Sequence, residues 1–178
     1  EQTEAAKFVQ SAGERAWAVF VPGANRPDKR WPPERFAAVA DALHARFGWS
    51  IMLAGNSREQ EITGMIAALT SAPCVDLAAA HSSLGALKSL IRDAAIVISN
   101  DTGPRHIAIA LQTPVVSIFG PTDHRWTLYP HNDERRLLAA PFLVESKNAD
   151  DNNQECHVNH ISVGDVVYAC DELVQPHD

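Results

Sequence analysis

The sequence predicts an α/β fold with a Rossmann-like, three-layer arrangement of a parallel sheet between helices. Continuous runs of Val, Ile and Leu alternate with segments whose apolar residues recur at helical spacing, the pattern of buried parallel strands joined by helices. Polar clusters follow four of the predicted strands, and open sheets of this type bind ligands at the carboxyl ends of their strands. With 178 residues, 46% of them hydrophobic, the chain is long enough for one packed domain.

The first half of the chain predicts three strands separated by helices. The strands are expected over residues 16–21, 50–54 and 74–77. A leading helix is expected over 4–13, and the helices between the strands over 31–48 and 58–69. Pro32 and Pro33 suit the opening of the second helix, and Gly48 suits its end. Residues 1–15 are therefore expected to be a linker or leading helix, and residues 16–178 the domain itself.

The second half continues the alternation and then becomes harder to interpret. Ser82 or Ser83 is expected to cap a helix that carries Leu84 and Ile91. A strand is then expected over 96–98, followed by a helix over 104–111 with Pro104 at its first position and by a strand over 114–119. A short sixth strand, a mobile surface loop and a closing helix are expected over 137–138, 145–159 and 163–174.

Composition and charge exclude several classes of protein. The 15 basic and 22 acidic side chains give a net charge of −7, which disfavours nucleic acid as a partner. No apolar run approaches the ~18 residues of a membrane span, and no signal segment opens the sequence. Three cysteines, odd in number and far apart, are typical of reduced thiols. The chain is therefore expected to be cytoplasmic.

The most informative stretch runs from Ser99 to His106, between a predicted strand and a predicted helix. Free backbone N–H groups and the positive end of the helix dipole attract anions at such a turn. Asp101, Thr102 and Gly103 offer a carboxylate, a hydroxyl and a backbone N–H to a ligand. The alternative interpretation is that Asp101 and Thr102 only cap the helix.

A basic loop follows the first predicted strand. Arg26, Lys29, Arg30 and Arg35 cluster there in an otherwise acidic chain, and a lysine is a compact cation that neutralises phosphate oxygens. Neither the Walker loop nor the dinucleotide-binding glycine pattern is present in the sequence. The alternative is an ordinary solvated charged loop.

Two further side chains are candidates for the same site. His106, in the first turn of its helix, is able to donate a hydrogen bond to a phosphate or to orient Asp101. The alternative is that its ring only packs under the edge of the sheet. Glu59, four residues after Gly55, is able to accept hydrogen bonds from ribose hydroxyls. Its alternative role is that of an acid favoured by the helix dipole.

Metal binding and hydrolysis are both disfavoured by the motifs. Cys156, His157 and His160 supply three donors within five residues, but without a second cluster they make a poor tetrahedral zinc site. They are expected to be exposed loop residues, and no metal is expected. The Gly-x-Ser-x-Gly nucleophile turn of many hydrolases is absent from the sequence.

An ordered set of motifs resembles the carboxyl-terminal half of the lipopolysaccharide heptosyltransferases, glycosyltransferase family 9. The motifs are Pro22-Gly23-Ala24, Asp28-Lys29-Arg30-Trp31-Pro32, Asp101-Thr102-Gly103-Pro104, His106 and Phe119-Gly120-Pro121-Thr122-Asp123. Each is weak alone, whereas the ordered set is specific. The resemblance runs from about Val19 to Asp123 and more loosely to Leu173. It implies one half of a GT-B enzyme with two facing Rossmann-like domains, the half that binds a nucleotide-sugar donor.

The resemblance also implies a role for each matching residue. The donor is usually ADP-heptose, no further cofactor is implied, and the transfer is inverting and independent of metal. The resemblance implies that Lys29 contacts the diphosphate, Glu59 the ribose and Asp101 the heptose hydroxyls. It implies that Thr102 and Gly103 also contact the diphosphate and that His106 supports them. Thr122 is implied to lie at the same rim, where the strands end. Of these, Lys29 and Asp101 are expected to carry the catalytic effect, because charge that grows on the departing diphosphate needs fixed donors.

In the family, the lipid-linked acceptor and the catalytic base belong to an amino-terminal domain. Because only about 15 residues precede the first predicted strand, that domain is expected to be absent here. The chain alone is then expected to bind donor with little transfer. The intact enzyme is expected at the cytoplasmic face of the inner membrane, acting on the lipopolysaccharide core. Two alternatives stay open, namely a UDP- or GDP-sugar transferase of the same architecture and a non-catalytic nucleotide-binding domain.

Overall fold

Six parallel strands form one sheet in a computed structural model that describes residues 1–13, 15–130, 133–139, 149–152 and 154–174. The strands are β1 (Trp17–Val21), β2 (Ser50–Leu53), β3 (Cys74–Asp76), β4 (Ile96–Asn100), β5 (Val115–Phe119) and β6 (Glu134–Leu138). Their order across the sheet is β3-β2-β1-β4-β5-β6, and every neighbouring pair is parallel. The predicted Rossmann-like α/β class is therefore confirmed.

Helices cover both faces of the sheet. They are α1 (Gln2–Ser11), α2 (Pro33–Phe47), α3 (Gln60–Leu69), α4 (Leu84–Arg92), α5 (Gly103–Ala110) and α6 (Val163–Val174). Gly48 ends α2 with a φ of 71°, a left-handed conformation that a glycine adopts without steric cost. None of the helices in the described ranges combines the length and hydropathy of a bilayer-spanning segment.

Alternate residues of the strands fill two apolar cores, one on each face of the sheet. In β1, Phe20 packs with Phe36 and Leu43 of α2, whereas Val19 joins the core on the opposite face with Leu90 of α4. Side chains of successive strand residues point to opposite faces, so a strand covered on both sides is apolar throughout. This burial explains why the strands read as continuous apolar runs in the sequence.

The sequence prediction was incomplete or wrong toward the carboxyl end of the chain. The sixth strand spans Glu134–Leu138, rather than only the last two of those residues. Cys156 and Val158, predicted to be exposed in a surface loop, are 2% and 1% exposed. Val158 packs in the core beside α2 and α6. In the same core, the Trp31 indole donates to the carbonyl oxygen of Ile161 at 2.9 Å. Residues 145–148 and 153 of the predicted loop 145–159 lie outside the described residues.

The leading helix is attached to the domain through the start of α4. Both the backbone N–H and the hydroxyl of Ser83 donate to the Glu4 carboxylate, at 2.9 and 2.5 Å. The Ser83 hydroxyl also accepts from the N–H of Ala86 at 3.1 Å and so caps α4. The hydrogen bonds from Ser83 hold the pKa of Glu4 below its usual value of 4.5.

Ser83→Ala is expected to reduce the free energy of unfolding by about 1 kcal/mol, because it removes the side-chain cap of α4. Chemical denaturation at neutral pH measures the loss. Ser82→Ala, at the adjacent position, is the matched control and should leave the unfolding midpoint nearly unchanged. Equal effects of the two substitutions would contradict the role of the cap.

The same contact predicts a pH dependence of stability. Because the folded pKa of Glu4 lies below its ordinary value of 4.5, its ionised form stabilises the fold above that pH. This contribution is lost as the pH falls through the folded pKa. Stability measured from pH 6 downward should therefore decline less steeply in Ser83→Ala than in the unaltered chain, and identical slopes would contradict the assignment.

Candidate functional site

A pocket of about 590 Å³ opens at the carboxyl ends of β1, β2 and β4. It lies where the chain order reverses across the sheet, since β1 continues to β2 on one side and β4 continues to β5 on the other. Five of the residues that the sequence singled out line it together: Lys29, Glu59, Asp101, Thr102 and Gly103. Residues from distant parts of the sequence therefore share one cavity at the expected edge.

A lysine and a carboxylate form the charged centre of this pocket. Lys29 ends a single 3₁₀ turn in the loop after β1, and Asp101 directly follows β4. The Nζ atom of Lys29 lies 3.5 Å from Oδ2 of Asp101. The two side chains are only 18% and 10% exposed, which limits screening of their attraction by water. The pocket thus places a cation and an anion side by side.

The amino terminus of α5 provides the second polar feature. Thr102 is the residue that caps this helix, but its side chain makes no capping hydrogen bond to any described residue. Its hydroxyl instead lies 3.4 Å from the carbonyl oxygen of Asn100 and donates to it. The interpretation of Thr102 as a simple cap is therefore not what the structure shows. The first turn of α5 faces the pocket with the positive end of its dipole.

Glu59 lies at the opposite wall of the pocket and is held in place by its neighbours. One carboxylate oxygen accepts from the backbone N–H and the side-chain amide of Asn56, at 2.9 and 2.8 Å. The carboxylate packs directly against Gly23, where a Cβ atom would overlap it. The glycine of the Pro-Gly-Ala motif therefore makes room for a fixed carboxylate at the pocket wall.

Asn100 joins the two loops that supply the charged centre. This fully buried side chain donates to the carbonyl oxygen of Pro22 at 2.7 Å, and its own oxygen accepts from the N–H of Trp31 at 3.3 Å. Asn100 is one of the site residues that sequence reasoning missed. The available signal was an amide at the last position of a buried strand, where an unpaired polar group is costly.

Arg105 is the second residue that sequence reasoning missed. Its side chain is fully buried, and its Nη1 atom lies 3.6 Å from Oδ1 of Asp101. The guanidinium also donates to Glu134 of β6 at 2.8 Å and to the hydroxyl of Ser117 at 3.0 Å. An arginine within an otherwise apolar helix was the available signal, but its partners are remote in the sequence.

His106 and Thr122 lie outside the set of residues that line the pocket. The His106 ring meets Tyr129 edge to face at 5.6 Å, and its buried Nδ1 has no hydrogen-bond partner among the described residues. Burial, with the nearby charge of Arg105, lowers the pKa of His106 below its usual value. The Thr122 hydroxyl is likewise buried without a partner in the described ranges. Their contacts with a donor stay predictions.

Within the part of the chain that the structure describes, no group of three His, Cys, Asp or Glu side chains is arranged to hold a metal ion. Two of the charged side chains that line the pocket, Lys29 and Asp101, are paired with each other, and Glu59 is held by the backbone N–H and side-chain amide of Asn56.

Comparison with known proteins relates this chain to one enzyme family. The family model of glycosyltransferase family 9 (heptosyltransferase) matches residues 1–158. The chain is 31% identical over 160 residues to lipopolysaccharide heptosyltransferase 3 of Escherichia coli, covering 89% of this chain and 47% of that protein. It is 33% identical over 131 residues to lipooligosaccharide heptosyltransferase 2 of Haemophilus influenzae, covering 71% and 37%. The chain therefore spans less than half the length of these relatives.

Solved structures give the same relationship. The ADP-heptose LPS heptosyltransferase II of E. coli superposes with a TM-score of 0.79 and 25% identity, over 98% of this chain and 52% of that one. A glycosyl transferase family 9 protein of Veillonella parvula gives a TM-score of 0.84 and 25% identity, over 97% and 51%. The family match, the relatives and the fold agree with the resemblance carried by the ordered motifs. This chain belongs to glycosyltransferase family 9.

Proposed function

We propose that this chain is the donor-binding part of a heptosyltransferase that transfers heptose from ADP-heptose to the lipopolysaccharide inner core. The observation that carries the proposal is the contact of Lys29 with Asp101 in the pocket, 3.5 Å apart. It pairs a cation suited to a diphosphate with a carboxylate suited to sugar hydroxyls. The similarity to proteins described as lipopolysaccharide and ADP-heptose heptosyltransferases supports the choice of acceptor and donor.

In this proposal the donor lies across the pocket from Glu59 to Asp101. Glu59 accepts hydrogen bonds from the ribose, and the diphosphate meets Lys29 and the first turn of α5. Asp101 then holds the heptose hydroxyls and fixes the anomeric carbon for attack. A volume of about 590 Å³ falls in the usual range for small-molecule and cofactor sites.

The proposed reaction is an inverting displacement. The acceptor hydroxyl oxygen forms a bond to the anomeric carbon while the bond from that carbon to the diphosphate oxygen breaks. The proton of the hydroxyl passes to a base, and ADP leaves with the electron pair. Negative charge grows on the diphosphate as the bond breaks, and Lys29 with the N–H groups of Thr102 and Gly103 would stabilise it without a metal.

The acceptor site and the base are assigned to the part of the enzyme that this chain does not span. The matched relatives are more than twice as long as the region they share with this chain. We therefore expect the chain alone to bind donor but to catalyse little transfer. The intact enzyme would work at the cytoplasmic face of the inner membrane, because its lipid-linked acceptor is anchored in the membrane. Transfer to a heptose-core acceptor at an ordinary enzymatic rate by this chain alone would contradict the assignment.

Calorimetric titration with ADP, UDP and GDP tests the proposed donor. ADP is expected to bind most tightly, and Lys29→Ala is expected to weaken ADP binding about tenfold, because it removes one charge-assisted contact to phosphate. Lys7→Ala, an exposed lysine of α1, is the matched control and should leave the affinity unchanged.

Each alternative outcome of that titration has a clear meaning. Tighter binding of UDP or GDP would reject ADP-heptose as the donor and favour another nucleotide-sugar transferase of the same architecture. Binding of no nucleotide would overturn the proposal. An unchanged affinity for ADP in Lys29→Ala would reject the assignment of Lys29 to the diphosphate.

Gly23→Ala is expected to weaken ADP binding with little loss of stability. The added methyl group overlaps the Glu59 carboxylate, which must turn away and abandon its position at the pocket wall. The overlapping atoms are the far end of a partly exposed side chain, which exchanges its two hydrogen bonds with Asn56 for water, so thermal unfolding should change little. Gly64→Ala, within α3 and with open space around its Cβ position, is the matched glycine control. It should not weaken ADP binding, and equal affinities for ADP in the two variants would reject the role of Glu59.

A further inference from the structure

We infer that Arg105 is a positioning residue that fixes the Asp101 carboxylate for the donor sugar, and that Glu134 of β6 holds Arg105 in place for this task. The inference rests on the proposed function, since it concerns the sugar part of the same donor site. The observation behind it is a continuous line of alternating charges, formed in order by Lys29, Asp101, Arg105 and Glu134.

Each oxygen of Asp101 faces a different cation. Oδ2 lies 3.5 Å from Lys29 Nζ in the pocket, and Oδ1 lies 3.6 Å from Nη1 of the buried Arg105. The lysine side chain is 18% exposed and the arginine side chain is 0% exposed. The carboxylate is thus held between one cation that a ligand can reach and one that solvent cannot reach.

The guanidinium of Arg105 is fixed on several sides. It donates to Glu134 at 2.8 Å, to Ser117 at 3.0 Å, and to both the hydroxyl and the carbonyl oxygen of Thr127 at 3.1 Å. It also lies over the ring of Phe119 at 4.8 Å. A planar group with five N–H donors can satisfy this set only in one orientation, so Arg105 is preorganised toward Asp101.

Glu134 explains how the arginine can be buried. Its side chain is 2% exposed and accepts from both Arg105 and Ser117. A buried cation without a partner is costly, whereas a paired and hydrogen-bonded one is tolerated. Glu134 therefore makes it possible for Arg105 to lie under the pocket without being drawn to solvent.

Donor binding would then separate the roles of the two cations. The diphosphate competes with Asp101 for Lys29, because a whole diphosphate carries more negative charge than a single carboxylate. Arg105 is held by its other partners and remains beside Asp101. It offsets the repulsion between Asp101 and the diphosphate and keeps Oδ2 directed into the pocket. Arg105 should accordingly affect binding of the sugar more than binding of the nucleotide.

The test compares the affinities of ADP and ADP-heptose in matched variants by calorimetry. Arg105→Met alone would leave the buried Glu134 carboxylate with only the Ser117 hydroxyl at 2.6 Å and Arg136 at 4.0 Å. The main variant is therefore the double substitution Arg105→Met with Glu134→Gln. Arg105→Lys is the conservative variant, which keeps a charge but cannot reach all the partners of the guanidinium. Arg46→Met is the control, because it removes an arginine from the ion pair with Asp171, remote from the pocket. Thermal unfolding establishes that each variant is folded.

We expect the double variant to bind ADP nearly as well as the unaltered chain. The ratio of the ADP-heptose affinity to the ADP affinity should fall about tenfold, which corresponds to one charge-assisted hydrogen bond. Arg105→Lys should restore part of this ratio, and Arg46→Met should not change it. A purely structural role for Arg105 would lower both affinities together or neither, and that result would overturn the inference.

Failure of the proposed function would look different from failure of this inference. If the unaltered chain bound no ADP, the donor site itself would be rejected. If it bound ADP but bound ADP-heptose no more tightly, the sugar contact of Asp101 and the role of Arg105 would be rejected together, while nucleotide binding would stand. If the unaltered chain preferred ADP-heptose and the double variant kept that preference, Arg105 alone would lose its assignment.

Discussion

The parallel pairing of β1 with β4 is the constraint on which the site depends. Because the chain continues from these two strands in opposite directions across the sheet, their following loops diverge and open a pocket between them. Lys29 comes from one loop and Asp101 from the other, 72 positions apart in the sequence. Asn100 fixes the distance between the loops, since its buried amide bonds the carbonyl oxygen of Pro22 across the strand ends. The packed sheet and the Asn100 hydrogen bond therefore fix the distance between the Lys29 cation and the Asp101 carboxylate.

Alternation of charge allows this polar site to exist beside an apolar core. Removing a charged group from water is costly unless an opposite charge and hydrogen bonds replace the water. Along the line from Lys29 to Glu134 each charge has an opposite neighbour. Side-chain exposure falls from 18% at Lys29 to 2% or less at Arg105 and Glu134. In the proposed function, the accessible lysine exchanges its partner for a diphosphate, whereas the buried arginine keeps its partners. The buried groups of such a site are already fixed in position, while the accessible lysine is able to change its partner. Fixed groups of this kind are what electrostatic stabilisation of a leaving group requires.

Much of the fold and part of the site could be predicted from local sequence patterns. The closing helix covers Val163–Val174 as expected, because its apolar residues keep helical spacing to the end. The turn after β4 was also recognisable, since strand, polar turn and helix follow one another without interruption. The partners of Arg105 and Trp31 were not recognisable. Glu134 lies 29 residues from Arg105, and Ile161 lies 130 residues from Trp31, so neither contact leaves a local signal. The burial of Val158 was missed for the same reason.

The central claim is that the pocket between the loops of β1 and β4 binds a nucleoside diphosphate-sugar. Its most direct test is the backbone amide spectrum of the isotopically labelled chain during titration with ADP-heptose. The account predicts saturable changes that are largest at the amides of Thr102, Gly103 and Asn56, which line the pocket. Changes concentrated instead on the groove between α1 and α4, lined by residues such as Lys7 and Ser89, would contradict it.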